Sequence, residues 1–439
     1  MFKETSKELL DFLSKSPTAF HAVENYRQIL NADGFKELLE SEHWDIVPGG
    51  KYYVTRNNTS ILAFKVGTKL DNYSFNIVTS HTDSPTFKVK ENAEIEVKNK
   101  YTQLNTEGYG GMLCATWLDR PLSIAGRVLV PEGNSIVTKL LNIDRDLLMI
   151  PNVAIHMNRA ANDGFKYNLQ VDMLPLLSAG DDRQKDFKQI IADELGVKKE
   201  DILGHDLYLY NRMAPSIWGA NEEFISSGHL DDLQCGFASL KALLAGYNDE
   251  SIDIMACFDN EEVGSGTKQG ADSTLLRDTL TRINNALGKT EEDYHRALAS
   301  SFMLSADNAH AVHPNHPEHT DATNCTYMNE GVVVKSHAGQ KYTSDGVSMA
   351  VVKSLASGAD VPLQYFANRS DKAGGSTLGN IAMAQASMNA VDIGLPQLAM
   401  HSSYETAGIK DTYYAISLMK ALFDSHIQET STHSLEIKR

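Results

Sequence analysis

An α/β fold interrupted by a β-rich insertion is the architecture this 439-residue sequence predicts, and three observations predict it. Apolar strand-like runs recur with a potential ligand just past their carboxyl ends, which is where sites gather in open α/β sheets. After Asp231, the residues Leu233, Phe237, Leu240 and Leu244 recur at helical spacing. From about residue 90 to 222 that rhythm breaks, and EIEVKNK, SIAGRVLVPEG and VAIHMNR read as strands with turns.

Taken in order, Glu4 to Leu30 reads as an amphipathic helix pair around Pro17. Tyr73 to Ser80 alternates like a strand and delivers His81-Thr82-Asp83-Ser84-Pro85. The inserted part ends in the charged stretch Asp181 to Asp201 and a strand from Asp206 to Tyr210. The helix opened by Asp231 is amphipathic by its spacing. Ile252 to Phe258 then delivers Asn260-Glu261-Glu262-Val263, Ser301 to Ser305 delivers Asp307, and Pro396 to Met400 delivers His401. Candidate ligands stand on both flanks of the insertion. Residues 1–89 and 223–439 therefore make one discontinuous catalytic domain, with 90–222 inserted as a second, β-rich one.

Two adjacent carboxylates at a strand end can divide their work, one binding a metal while its neighbour handles the proton of the attacking water. Each residue taken alone has an ordinary explanation. Asp231 suits a helix N-cap, and Glu261 and Glu262 suit a solvated loop. His81 suits a satisfied surface or core group, Asp307 a turn beside Asn308, and His401 the end of a buried strand. Five strand-end or helix-start ligands together point to a metal-dependent hydrolase.

The segments SHTDSP (80–85), LDDL (230–233), FDNEEVGS (258–265), SADNAHAVHPN (305–315) and LAMHS (398–402) resemble the aspartyl aminopeptidase family in order and spacing. From about residue 10 to residue 425 the chain is identified as a bacterial member of that family of two-zinc metallo-aminopeptidases. The resemblance implies a phosphorylase/zinc-peptidase-like three-layer α/β/α catalytic domain with an inserted β-rich dimerisation domain. It implies His81, Asp231 and Asp307 as ligands of one metal, and Asp231, Glu262 and His401 as ligands of the other, with Asp231 bridging. Carboxylate and imidazole donors suit two zinc ions, although cobalt and manganese accept the same set.

Glu261 is implied as the general base, and Asp83 as the carboxylate that orients a ligand histidine. His156, His310 and Lys335 resemble substrate-site residues, with His156 reaching a neighbouring subunit's site. The resemblance also implies a tetrahedral dodecamer built from dimers. Where relatives commonly carry Leu-Asp-Asn, this chain has Leu230-Asp231-Asp232, an extra carboxylate that would raise metal affinity or stay solvated. His229 has no ligand role in the family pattern.

Competing motifs fall away. His313, His316 and His319 suggest a zinc box, but Pro314 and Pro317 favour a surface loop. Gly288-Lys289-Thr290 lacks the glycine of a phosphate loop, since Ile283 stands in its place. Gly374-Gly375-Ser376 lacks the closing glycine of a nucleophile elbow, since Leu378 stands there, and is similar to a family turn near the active site. Cys114, Cys235, Cys257 and Cys325 are widely spaced and read as small buried apolar residues in a reducing compartment.

A formal charge of −17 argues against nucleic acid as a partner. No apolar run has membrane length, and Met1 to Thr5 starts no signal peptide, so a soluble, cytoplasmic protein is expected. The expected activity is removal of N-terminal residues from short peptides. The family name implies Asp and Glu first, although no motif here fixes the preference. Two rival classes share part of this pattern. A two-metal deacylase or carboxypeptidase uses the same ligand logic. A non-catalytic scaffold would need a broken ligand set, and this one is intact.

Overall fold

The computed structural model describes residues 1–180 and 186–439. Its main sheet has nine strands, and the four in the middle, Ser251–Phe258, Ser74–His81, Phe302–Ala306 and Asn389–Gly394, lie side by side in parallel. Along Ser251–Phe258, the side chains of Ile252, Ile254, Ala256 and Phe258 enter one core while Met255 and Cys257 enter the other. Helices Phe2–Ser14, Ala19–Ala32, Leu230–Ala245, Gly346–Gly358 and Asp411–Phe423 cover the first face. Helices Leu275–Ala286, Glu291–Ala299 and Leu378–Gln385 cover the second. This is the expected three-layer α/β/α arrangement.

Strand Ser74–His81 is buried at every residue, so its alternation separates two buried faces. A central parallel strand between helical layers has no wet face. Phe75 and Ile77, both fully buried, each contribute about 1.5–3 kcal/mol by leaving water. Helix Leu230–Ala245 is likewise buried around most of its circumference rather than amphipathic. Its regular turns begin after Asp231 and Asp232, whose φ/ψ are not helical, so Asp231 is a pre-helical residue and not an N-cap.

A six-stranded antiparallel sheet, drawn from residues 86–211, has a core of its own built on Phe87, Trp117, Ile124, Leu207 and Leu209. Its strand order begins with Ser135–Asn142, Leu122–Glu132 and Gly204–Asn211, and continues with Thr86–Val97, Tyr101–Tyr109 and Leu176–Ala179. EIEV and SIAGRVLVPE are strands as expected, whereas VAIHMNR is not. That run folds back on itself through Met157 N–H and Asn158 N–H to the Ala154 carbonyl, leaving no ladder partner. Of the charged stretch at 181–201, residues 181–185 lie outside the described residues. Phe187–Leu195 is a helix whose N-cap, Asp186, accepts the Gln189 N–H at 2.8 Å.

A five-stranded sheet ties distant parts of the chain together by pairing Phe224–Ser227 with Glu405–Gly408 and Pro396–Leu398 with Ala309–His310. The strand before His401 therefore belongs to this small sheet rather than to the main one. All four cysteines are free. Cys235 and Cys257 are buried as expected, while Cys114 and Cys325 are only half-buried. Among the described residues, no helix is long and apolar enough to cross a membrane.

Candidate active site

The ligand-type side chains converge where the parallel strands end. His81 closes its strand and pairs in register with Phe258, so Glu261 and Glu262 emerge just beyond it on the next strand. Asp307 follows Phe302–Ala306 on the other side. Asn260, at φ +63°, turns the chain into the short 3₁₀ turn Glu261–Val263, a conformation that asparagine tolerates better than most residues. Together with Asp231 and His401 these groups line a cavity of about 220 Å³.

Within it, Asp231 faces two ways. Oδ1 lies 3.4 Å from His81 Nε2, and Oδ2 lies 3.5 Å from His401 Nε2. His401 Nε2 is also 3.3 Å from Glu262 Oε2, and His81 Nε2 is 3.9 Å from Asp307 Oδ1. The ligand-type atoms of Asp231, Glu262 and His401 cluster closely enough to share one ion, as do those of His81, Asp232 and Asp307.

The backbone around these groups is held by two buried carboxylates. Asp83 accepts the N–H groups of Glu261 and Glu262, each at 3.1 Å, and its main-chain carbonyl lies 3.0 Å from His81 Nδ1. Glu405 accepts the N–H of His401 at 2.8 Å and that of Asp231 at 3.0 Å. Sequence reasoning missed Glu405, which stands in no motif or periodic pattern. Its only signal is proximity to His401, whose left-handed backbone at φ +67° needs such an anchor.

Electrostatically the cluster is unstable as a set of bare charges. Burial, reinforced by Asp307, Asp83 and Asp231, pushes Glu261 up to about 8 against the opposing pull of His81. Burial and then Asp231 drive Glu262 well above the usual carboxylate range. Burial alone would lower His401, but Asp231 reverses this and brings it up to about 9. His81 is raised in the same way by Asp231, Asp307 and Asp83. Asp231 moves down, because His401 and His81 outweigh its burial.

Asp231 Oδ1 is buried without a hydrogen-bond partner, and four carboxylates share the cavity with three imidazoles. A carboxylate set between two histidine nitrogens, with one oxygen orphaned in an oxygen- and nitrogen-rich pocket, fits a pair of zinc ions.

The extra carboxylate of Asp232 is neither solvated nor free. It is fully buried, and its Oδ2 accepts the His81 N–H at 3.1 Å. Lys335 is buried at the cavity wall, where its Nζ donates to the carbonyls of Asp307 and Asn308 at 2.8 and 3.1 Å. His310 lines the same cavity and is exposed at its mouth. His156 does not join them. It is exposed on the 151–159 turn and is not the core histidine an apolar run suggests. His229 lines a different cavity, and burial brings it down to about 4. His313, His316 and His319 lie exposed on a surface loop, as the prolines implied, with the His316 and His319 rings stacked at 5.5 Å. Gly375, Ser376 and Thr377 line the active cavity.

Comparison with known proteins agrees with this chemistry. The family described as Aminopeptidase I zinc metalloprotease (M18) matches residues 12–423. A probable M18 family aminopeptidase 2 of Clostridium novyi is 48% identical over 425 residues, covering 95% of this chain and 98% of that protein. Another from Stutzerimonas stutzeri is 39% identical, with 97% and 99% covered. Among solved structures, a chain of the Ape4 and Nbr1 complex superposes with a TM-score of 0.93 at 35% identity, covering 96% of this chain and 86% of that one. The S. cerevisiae mApe1 dodecamer gives 0.84 at 28% identity, with 96% and 97% covered. With the match spanning nearly the whole chain and the acid–imidazole cluster intact within it, this chain belongs to the M18 family of zinc metallo-aminopeptidases.

Proposed function

We propose that the enzyme releases the N-terminal residue from short peptides with Glu261 as general base, and that one observation carries this reading. The two oxygens of Asp231 address two histidines on opposite sides, as a bridging ligand requires. His81 and Asp307 would complete one zinc site, and Glu262 and His401 the other. Bound there, two zinc ions would polarise the scissile carbonyl and lower the pKa of water. Glu261 lines the cavity, and burial raises its basicity toward the range a neutral-pH base needs. It would take a proton from the attacking water and return it to the leaving amine. Its neighbour is held by the same Asp83 carboxylate, which fixes base and ligand relative to one another.

A preference for Asp or Glu at the N-terminus is supported by Lys335 at the cavity wall, with His310 at the mouth. The inserted unit at 90–222 would assemble subunits. The loop beyond residue 150 exposes Val153, Ile155, Met157 and Val171, an apolar set that a partner subunit would cover, and its exposed His156 would reach that partner's site. The mApe1 relative is a dodecamer, which supports a homo-oligomer here, and the family resemblance would make it a tetrahedral dodecamer built from dimers. A cytoplasmic location fits a peptide-trimming role.

The test is release of the first residue from free-amine and N-blocked peptides beginning with Asp, Glu, Leu or Lys, with and without chelator. Chelator-sensitive cleavage of free-amine Asp and Glu peptides is expected. Cleavage of blocked peptides alone would overturn the aminopeptidase reading, and a preference for Leu would overturn the acidic one.

A further inference from the structure

The strand Tyr101–Tyr109 of the six-stranded sheet ends against the metal-ligand loops, and the next few residues touch both sides of the site. The Tyr109 hydroxyl donates to Asp83 Oδ2 at 2.7 Å and accepts from Asn260 Nδ2 at 2.7 Å. The Asn260 amide is fixed in turn, because its Oδ1 accepts from Thr267 Oγ1 at 2.8 Å and from Gln269 Nε2 at 2.7 Å. Asp83 is the group that holds the N–H of both Glu261 and Glu262, so Tyr109 fixes the carboxylate on which the tandem glutamates hang.

Gly110 follows with φ +73°, and a Cβ there would stand 3.1 Å from Glu262 Cβ, so the backbone itself packs on that side chain. The Gly111 carbonyl accepts from His401 Nδ1 at 2.9 Å, leaving Nε2 as the nitrogen turned toward Asp231 and Glu262. Leu113 N–H then donates to the His401 carbonyl at 2.9 Å.

We infer that residues 109–113 form a positioning strap through which the six-stranded sheet sets the geometry of the metal site, with Tyr109 as a positioning residue for the tandem glutamates. The strap needs no contact with substrate. It acts by fixing the tautomer and aim of His401 and the backbone of Glu261 and Glu262. Partners that orient a ligand from behind usually change metal affinity or activity by about ten- to a hundred-fold when lost.

This inference rests on the two-metal reading, so the experiment measures that reading first, on the assembled wild-type enzyme loaded with cobalt. Tyr109→Phe keeps the ring, which packs edge-on against Tyr208 at 5.7 Å, and removes only the hydroxyl. The variant should bind two cobalt ions per subunit, keep its melting temperature and KM, shift the visible cobalt bands, and lose about ten-fold or more in kcat. Gly110→Ala should press on Glu262 and weaken binding of one of the two ions.

Wild-type enzyme that fails to bind two ions would overturn the site reading itself. Normal wild-type binding with an unchanged cobalt spectrum and kcat in Tyr109→Phe would overturn the strap alone. A fall in kcat that tracks a lower melting temperature, with the cobalt bands unmoved, would make Tyr109 merely structural and also overturn it. Gly110→Ala retaining both ions at wild-type affinity counts against the strap in the same way.

Discussion

Lys335 donates from Nζ to the main-chain carbonyl of Asp307 at 2.8 Å, while the Asp307 Oδ2 carboxylate oxygen lies 3.8 Å away. A buried ammonium that grips the backbone of a ligand residue is a structural group first, whatever it offers to substrate. Lys335→Met should therefore destabilise the fold by about 1–3 kcal/mol, because buried carbonyls lose their donor. It should also weaken metal binding on the Asp307 side, checked by urea unfolding and metal analysis. A rise in KM for acidic peptides with stability and metal content unchanged would make Lys335 a specificity group alone.

Glu261 and Glu262 differ by one position and should differ completely in phenotype. Glu261→Gln should keep two metals and lose about 10²–10⁴-fold in kcat, the usual contribution of a general base. Metal content by elemental analysis together with turnover on one peptide decides it, and a variant that keeps most of its turnover contradicts the assignment.

His401→Ala and Glu262→Ala should each lose one metal equivalent per subunit while retaining the other. His401 Nε2 lies 3.5 Å from Asp231 Oδ2 and 3.3 Å from Glu262 Oε2, so these two residues serve one end of the Asp231 carboxylate. Titration with a chromophoric chelator would count the ions, and loss of both together would show that the two positions are filled as one.

Asp206 sits between Lys88 at 2.9 Å and Arg127 at 2.8 Å. Burial alone would raise its carboxyl, but the two cations more than compensate and hold it below its ordinary value. A depressed folded value means that its contribution is fully present above the unfolded pKa of about 3.9 and disappears as pH falls through the folded one. The difference in urea midpoint between wild type and Asp206→Asn should therefore be constant from neutral pH down to about 5 and close below about 4. A difference that persists undiminished at the lowest pH would exclude ionisation as its source.

The candidate ligands are legible because metal chemistry restricts residue type and strand ends restrict place. His81, Glu262, Asp307 and His401 each follow an apolar run that can be read directly. Asp231 was found for a reason the structure does not share, since it precedes the regular helix rather than capping it. What stayed hidden are the groups that work through main-chain contacts. Glu405 and Tyr109 carry no motif, and their partners lie 174 and 26 positions away along the chain. Local pattern carries no information about such pairings. The turn at His156 was misread for the opposite reason, because an apolar run suggested a strand where the chain instead exposes its apolar side chains.

The strand that ends at His81 is covered on both faces and paired on both edges, so its imidazole is 1% exposed, whereas that of His401 is 31% exposed. Depth of burial then becomes a difference in exchange rate. An ion on the His401 side would have the more exposed imidazole as its ligand, and an ion on the His81 side the buried one. The enzyme should carry one fast-exchanging and one slow-exchanging ion, and brief chelation followed by a different metal should yield a mixed-metal centre with the newcomer beside His401.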